Sequence, residues 1–175
     1  MATTFTVTGA TFMLDKKLLR VDLTKGTFEA EDIPEQVVKN FIAGKGFAAY
    51  YSYKELKKGT ASLSHENKLF IFNGALTGLF PCFTRYVVAS KSPATGIFCD
   101  SYSGGRFGQE LAKTGYVGII VEGMATNPVY LRVDGDTAKF EDGTVLAGKN
   151  TYEVCDLLKP FSAMVIGEAG KNMVR

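Results

Sequence analysis

Arg85-Tyr86-Val87-Val88-Ala89-Ser90-Lys91-Ser92-Pro93-Ala94-Thr95-Gly96-Ile97-Phe98-Cys99-Asp100-Ser101-Tyr102-Ser103-Gly104-Gly105-Arg106-Phe107-Gly108 runs an alternating strand into a glycine loop flanked by cations. A period of two puts Arg85, Val87, Ala89 and Lys91 on one face of that strand and Tyr86, Val88 and Ser90 on the other. Both cations therefore point the same way, and one face is expected to be given over to an anion or to solvent. Ser103-Gly104-Gly105 has no bulky side chain, so its N–H groups can approach a ligand closely. Residues 107–113 can open a helix whose N-terminus carries partial positive charge. Arg106 adds a bidentate donor. On spacing alone two readings stand side by side: a phosphate cradle, or a strand, loop and helix whose glycines merely turn the chain.

Outward from this stretch, strands and helices alternate without a βαβα rhythm. Residues 18–23 alternate, and Thr24-Lys25-Gly26 turns them into a hairpin with residues 27–30. Asp32-Ile33-Pro34-Glu35 starts a helix, with Val37, Val38, Phe41 and Ile42 at helical spacing until Gly44. A second helix, residues 47–57, presents Phe47, Tyr50, Tyr51, Tyr53 and Leu56, which read as core rather than as a cofactor platform. Strands are expected at 69–72, 86–89, 116–121, 129–133, 137–140 and 163–166, the last wholly apolar and so buried. Asp134-Gly135-Asp136 makes a hairpin turn, and Asn150-Thr151-Tyr152-Glu153 is a capping box opening a helix that Pro160 stops after Lys159. The alternation of Phe5 and Val7 adds an N-terminal strand. The fold class is α+β, a large mixed β-sheet with flanking helices, in a single domain over residues 1–175.

Composition narrows the function classes. At 46% hydrophobic and 22% charged the chain is an ordinary globular sequence, with no apolar run near the roughly 20 residues that span a bilayer. A net charge of +2 with dispersed cations points away from nucleic acid. The N-terminus has no basic leader or continuous apolar segment, so a cytoplasmic location is expected. Cys82, Cys99 and Cys155 form no C-x-x-C pair, which fits a reducing compartment, buried or inert thiols and no iron–sulfur cluster held by this chain. Cys82 and Cys99 flank the ends of the candidate strand and stand as thiols able to meet a metal or redox partner. His65, alone in a turn, has no carboxylate arrangement for general acid–base work.

The run Arg85-Tyr86-x-Val88-x-x-Lys91-Ser92-Pro93-x-Thr95-Gly96, followed by Asp100-Ser101-x-Ser103-Gly104-Gly105-x-Phe107-Gly108-x-Glu110-Leu111, resembles the N-terminal domain of the tungsten-containing aldehyde ferredoxin oxidoreductases. Collinear blocks strengthen the resemblance: Gly44-Lys45-Gly46-Phe47, Leu63-Ser64-His65-Glu66-Asn67, Gly74-Ala75-Leu76-Thr77-Gly78, Ile119-Ile120-Val121-Glu122-Gly123 and Ile166-Gly167-Glu168-Ala169-Gly170. It extends from about Lys17 to the end.

That resemblance implies a sheet-rich base on which a tungsten bis-pyranopterin lies, with magnesium linking the pterin phosphates, a 4Fe-4S cluster nearby in the full enzyme, and ferredoxin as acceptor for the oxidation of aldehyde and water to carboxylate. The implied cofactor-binding residues are Arg85, Lys91, Tyr102, Ser103, Gly104, Gly105 and Arg106, with none catalytic. Tyr102 stands where many relatives have asparagine; a backbone carbonyl offered to magnesium survives the exchange, while the side-chain amide is lost. Phe80-Pro81-Cys82-Phe83-Thr84 is bulkier than the family's usual approach to the arginine. Relatives are several times longer and carry their cluster cysteines, second pterin loop and proton-transfer residues beyond this span. The chain is therefore expected to be silent alone and to need its remaining domains or a companion catalytic chain, with homo-oligomerisation left open. A non-catalytic module, holding a phosphate-bearing ligand or a larger partner, is the alternative.

Overall fold

The computed structural model describes residues 17–172 and 174; the strand expected around Phe5 and Val7 lies outside them. Strands β1 (Lys17–Asp22) and β2 (Thr27–Asp32) form the expected antiparallel hairpin, whose turn is held by the Asp22 carboxylate accepting from Thr24 N–H and Lys25 N–H at 2.9 and 3.0 Å. Helices α1 (Glu35–Phe41) and α2 (Lys45–Glu55) follow, then β3 (Leu69–Asn73), β4 (Tyr86–Lys91) and β5 (Phe98–Ser103). Helix α3 (Arg106–Lys113) leads into β6 (Tyr116–Glu122), the hairpin β7 (Val129–Asp134) and β8 (Thr137–Asp142), and helices α4 (Thr151–Leu157) and α5 (Glu168–Lys171). The capping box at Asn150 is present in full. The large sheet runs β2-β1-β6-β3-β4-β5, with β1 and β6 parallel and the other neighbours antiparallel.

Both faces of this sheet are covered. Val37, Val38, Phe47, Ala48 and Tyr51 of α1 and α2 pack on Leu18, Phe70, Phe72, Val87, Ala89 and Ile120. On the other side Leu111 of α3 and Ala138, Leu131, Val133 and Phe140 of the β7–β8 hairpin meet Leu19, Val21, Ile71, Tyr86 and Ile119. This two-sided burial is why β3 and β6 read as continuous apolar runs. It also corrects the expectation that one face of β4 is left for an anion: the predicted parity is right, but Val87 and Ala89 lie under α2 while Tyr86 and Val88 lie toward α3, because a helix packs on each face of the sheet there.

Four further readings change. Strand β5 went unread because its serines and Asp100 look like loop residues; an edge strand, paired among the described residues with β4 alone, needs little apolar surface. Residues 163–166 form no strand. All three cysteines are free and exposed rather than buried. Tyr53, counted with the aromatic core, is 93% exposed on the outer side of α2, whereas Phe47 and Tyr51 are buried.

At one edge of the helix-covered face, five charges link sheet to helix. The Arg20 guanidinium donates to Glu55 at 2.6 and 3.0 Å and to Glu31, and the Lys68 ammonium donates to Glu55 at 2.8 Å and pairs with Glu122. Beside them the Tyr51 hydroxyl is buried without a partner, and burial pushes its pKa up to about 12. Burial of Glu55 works to raise its carboxyl pKa, yet hydrogen bonds from Arg20 and Lys68 outweigh it and hold the group below 4.5. A depressed folded-state value means stability present above the unfolded value and lost as pH falls through the folded one. Glu55→Gln is thus expected to cost about 1–3 kcal/mol near neutral pH, and to flatten the fall in thermal stability seen on acidification below pH 4.5. Parallel acid melting curves for the variant and the parent would remove Glu55 from this role.

Candidate functional site

Register decides what the predicted residues can reach. Tyr86 opposes Ser103 and Val87 opposes Tyr102, and directly opposed residues share a face. Tyr102 therefore lies on the α2 side with Val87, Gly104 continues that face, and the Ser103 side chain belongs to the other. The Arg85 side chain lies against Gly104: a Cβ added there would sit 3.6 Å from Arg85 Nη1, 3.8 Å from Arg85 Cδ and 3.2 Å from Thr84 Oγ1. The Arg85 backbone is fixed, since its carbonyl accepts from Thr77 Oγ1 at 2.6 Å and from Gly74 N–H at 3.2 Å. Arg85 as a residue is exposed. A rigid root with an exposed planar fork is the arrangement that suits bidentate capture of an oxyanion.

Gly105 turns the chain into α3 with φ of 82°, a left-handed value that favours glycine, and open space lies beside it. No side chain caps this helix start, so its first N–H groups add donors at its positive end. The start of α3 is pressed onto the segment before β4: a Cβ on Gly108 would lie 2.9 Å from the Thr84 carbonyl oxygen and 3.1 Å from Asn73 Oδ1. Asn73 Nδ2 donates to the Gly108 carbonyl at 2.9 Å, while Asn73 Oδ1 is buried without a partner.

One cation was missed. Lys45, the first residue of α2, pairs with Asp100 at 2.9 Å, and Asp100 stands two residues before Tyr102 on the same face. The Asp100 carboxylate, with a smaller contribution from Tyr102, raises the Lys45 pKa above its ordinary value. The helix start is anchored where Gly44 N–H donates to the Asn73 carbonyl at 3.0 Å. Gly46 admits the sharp entry, since a Cβ there would lie 2.0 Å from the Phe41 carbonyl oxygen. Two glycines bracketing a lysine before an apolar helix were the available signal.

The remaining predicted residues divide. Arg106 is exposed and its only described ionic partner is Glu110, at 3.7 Å one turn along α3. Lys91 does not join Arg85: six residues along an extended strand separate them by about 20 Å, and its ammonium donates to the Thr60 carbonyl at 2.6 Å. Alternation aligned the two cations in direction but could not bring them together. Lys91 instead borders a groove of about 300 Å³ whose walls include Leu63, Leu69, Val88, Pro93 and Cys99. Cys82, at φ of 69°, lies in the loop before Arg85, where the exposed rings of Phe80 and Phe83 meet with centroids 5.8 Å apart. His65 is exposed in its turn.

With Arg85, Gly104 and Gly105 gathered at one end of β4 and β5 and Tyr102 beside them in the register, comparison with known proteins becomes decisive. The family model for the aldehyde ferredoxin oxidoreductase N-terminal domain matches residues 18–175. The chain belongs to this family. Tungsten-containing aldehyde ferredoxin oxidoreductases of Pyrococcus abyssi and Pyrococcus furiosus are 39% and 36% identical to it over 166 residues. An aliphatic sulfonate oxidoreductase WOR-like subunit of Pyrococcus furiosus is 34% identical. Each match covers 91% of this chain, and the chain spans 27% of the length of the first two relatives and 29% of the third. Among solved structures, the active-site complex BamBC of benzoyl coenzyme A reductase in complex with 1,5-dienoyl-CoA matches with a TM-score of 0.79 and 30% identity, over 84% of this chain and 23% of that one. The aldehyde ferredoxin oxidoreductase N-terminal domain thus accounts for the mixed six-stranded sheet with flanking helices. No helix among the described residues is long and apolar enough to cross a membrane.

Proposed function

We propose that this chain is the pterin-cradling first domain of a tungstopterin oxidoreductase, and that the whole protein oxidises an aldehyde with water to the carboxylic acid and passes two electrons to ferredoxin. The observation that carries this reading is the Arg85 guanidinium lying against Gly104. The donor set fits the group. Arg85 would grip a pterin phosphate or carbonyl edge through its fork, and the N–H groups of Gly104 and Gly105 would meet the same ligand where no Cβ stands in the way, whereas Lys45 would add a positive charge on that face only by leaving Asp100. Ser103 would take part through its backbone alone. The Tyr102 carbonyl is the candidate magnesium ligand, a role its side chain does not affect. Arg106 would reach the ligand only by leaving Glu110. When bound, the tungsten dithiolene supplies the two-electron chemistry.

Within this reading the chain's own residues bind and orient rather than move protons. A 4Fe-4S cluster and the acid–base groups would come from the rest of a longer protein or a companion chain, in keeping with relatives of which this sequence spans little more than a quarter. Protein isolated from its native host is expected to carry tungsten and a fluorescent pterin derivative and to come down with the larger polypeptide. Protein free of metal, of pterin and of any companion would overturn the assignment in favour of a module that holds another phosphate-bearing ligand.

A further inference from the structure

Strand β3 is an apolar run, Leu69-Phe70-Ile71-Phe72, that ends on a polar residue: Asn73 is only 2% exposed. Burying an amide costs free energy that an apolar side chain would not, so its bonds indicate what it holds in place. Asn73 Nδ2 donates to the Gly108 carbonyl, 35 residues away in the first turn of α3, at 2.9 Å. Only the amide nitrogen can face a carbonyl, which fixes the way the side chain is turned. The backbone of the same residue reaches the other helix, its carbonyl accepting from Gly44 N–H at the start of α2 at 3.0 Å. Its chain neighbour Gly74 donates through N–H to the Arg85 carbonyl at 3.2 Å, the oxygen that Thr77 Oγ1 also holds at 2.6 Å. The starts of α2 and α3 and the residue that opens β4 are thus pinned at one strand end.

We infer that Asn73 is a positioning residue for the cradle: by tying Gly108 to the end of β3 it fixes where α3 begins, and so where Gly104 and Gly105 stand against the Arg85 guanidinium. This role rests on the reading of Arg85 and Gly104 as a pterin-binding pair, and it requires no contact between Asn73 and a ligand. A two-glycine bend has no side chains to hold its own shape. Its geometry is imposed by anchors on either side, the residues before β4 and the first turn of α3. Open space lies beside Gly105 and no side chain caps the helix, so the solvent side supplies no such anchor. On the buried side the packing is tight. A Cβ on Gly108 would lie 2.9 Å from the Thr84 carbonyl oxygen, 3.1 Å from Asn73 Oδ1 and 3.2 Å from Thr77 Cγ2, so the helix start rests directly on the segment that carries Arg85. Donors aimed at an anion perform only when held to within about 0.5 Å, and the Asn73 amide is the described side chain that bonds the two anchors together.

The test uses the full-length holoprotein, or its complex with the completing chain. Asn73→Ala and Asn73→Leu, the second keeping the bulk, are compared with Leu19→Ala, a truncation at a fully buried position of β1, which β6 separates from β3. Both Asn73 variants are expected to release tungsten and pterin about tenfold faster than the parent on dialysis. With the cofactor removed, they are expected to speed amide exchange at 110–112, the bonds that close the first turns of α3, about tenfold while β1 and β6 keep their protection. Leu19→Ala is expected to lower Tm at least as much, yet to leave release and exchange at 110–112 as in the parent. A lower Tm in the Asn73 variants without faster release would overturn the inference, as would release from Leu19→Ala that is equally fast. Failure of both Asn73 variants to fold would overturn it too, since the residue would then hold the core rather than the cradle. Arg85→Ala separates this role from the reading beneath it. Fast release from Arg85→Ala but not from the Asn73 variants removes the positioning role and leaves the cradle standing, whereas parental retention in Arg85→Ala withdraws the cradle itself.

Discussion

Gly118→Ala is expected to cost the fold about 3 kcal/mol, the upper end for overpacking a core, and to lower Tm by about 6–12 °C for a chain of this size. Gly118 sits in β6 opposite Phe72 of β3 and Leu18 of β1, in the centre of the six-stranded sheet. A Cβ there would lie 2.2 Å from Phe72 Cδ1, 2.7 Å from Phe72 Cε1 and 2.5 Å from the Ile71 carbonyl oxygen. The ring is fully buried between α2 and the sheet, edge-on to Phe47 and stacked on Tyr51, so it has nowhere to rotate. The carbonyl belongs to the neighbouring strand and can move only with it. Gly115→Ala makes the contrast: its φ of 87° carries a backbone cost, but nothing lies within 4 Å of the added methyl. Calorimetry on both variants checks the claim, and a Gly118→Ala midpoint within about 2 °C of the parent would mean that Phe72 and β3 yield freely.

Arg85→Ala in the holoprotein is expected to weaken cofactor retention by about 1.5–3 kcal/mol, the range for hydrogen bonds to charged groups, which is roughly a 10- to 150-fold rise in the dissociation constant. Arg85→Lys should fall between, because an ammonium keeps the charge but loses the planar fork. Apo stability should hardly change: the side chain is exposed, and the part of Arg85 that braces the fold is its carbonyl, bonded to Thr77 and Gly74, which the substitution leaves in place. Tungsten and pterin content after extended dialysis measures the effect. Retention equal to that of the parent would return Arg85 to the status of a solvated cation at a strand end, and the proposed cradle would lose its main donor.

The difference between the two cations of the opening stretch is instructive. Arg85 and Lys91 have the same parity on β4, and their sequence context offers no reason to prefer either. Position along the strand separates them: Arg85 precedes β4 where the Gly104-Gly105 bend and the starts of α2 and α3 converge, whereas Lys91 ends it beside the loop that presents the Thr60 carbonyl. Lys45 is the converse case. It is 40 residues distant from Arg85 in sequence, and it meets Asp100 of β5 only because α2 packs on β3, β4 and β5 with its N-terminus at Asn73.

Local patterns were sufficient for most elements because they depend on neighbours in the chain. The hairpin at Thr24-Lys25-Gly26, the capping box at Asn150 and the apolar runs of β3 and β6 rest on turn geometry, short-range hydrogen bonds and hydrophobic periodicity, all contained in a few consecutive residues. The collinear motif blocks likewise carried the family in the residues themselves. Tertiary structure alone decided that β4 is covered on both faces, that the serine-rich β5 is an edge strand, that Lys45 pairs with Asp100 of β5 while Lys91 donates to the Thr60 carbonyl, and that Ala163–Ile166 makes no backbone hydrogen bond among the described residues. Each of these depends on which distant segment supplies the opposing surface or the missing hydrogen bond, and that is settled by packing across the sheet rather than by the residues on either side.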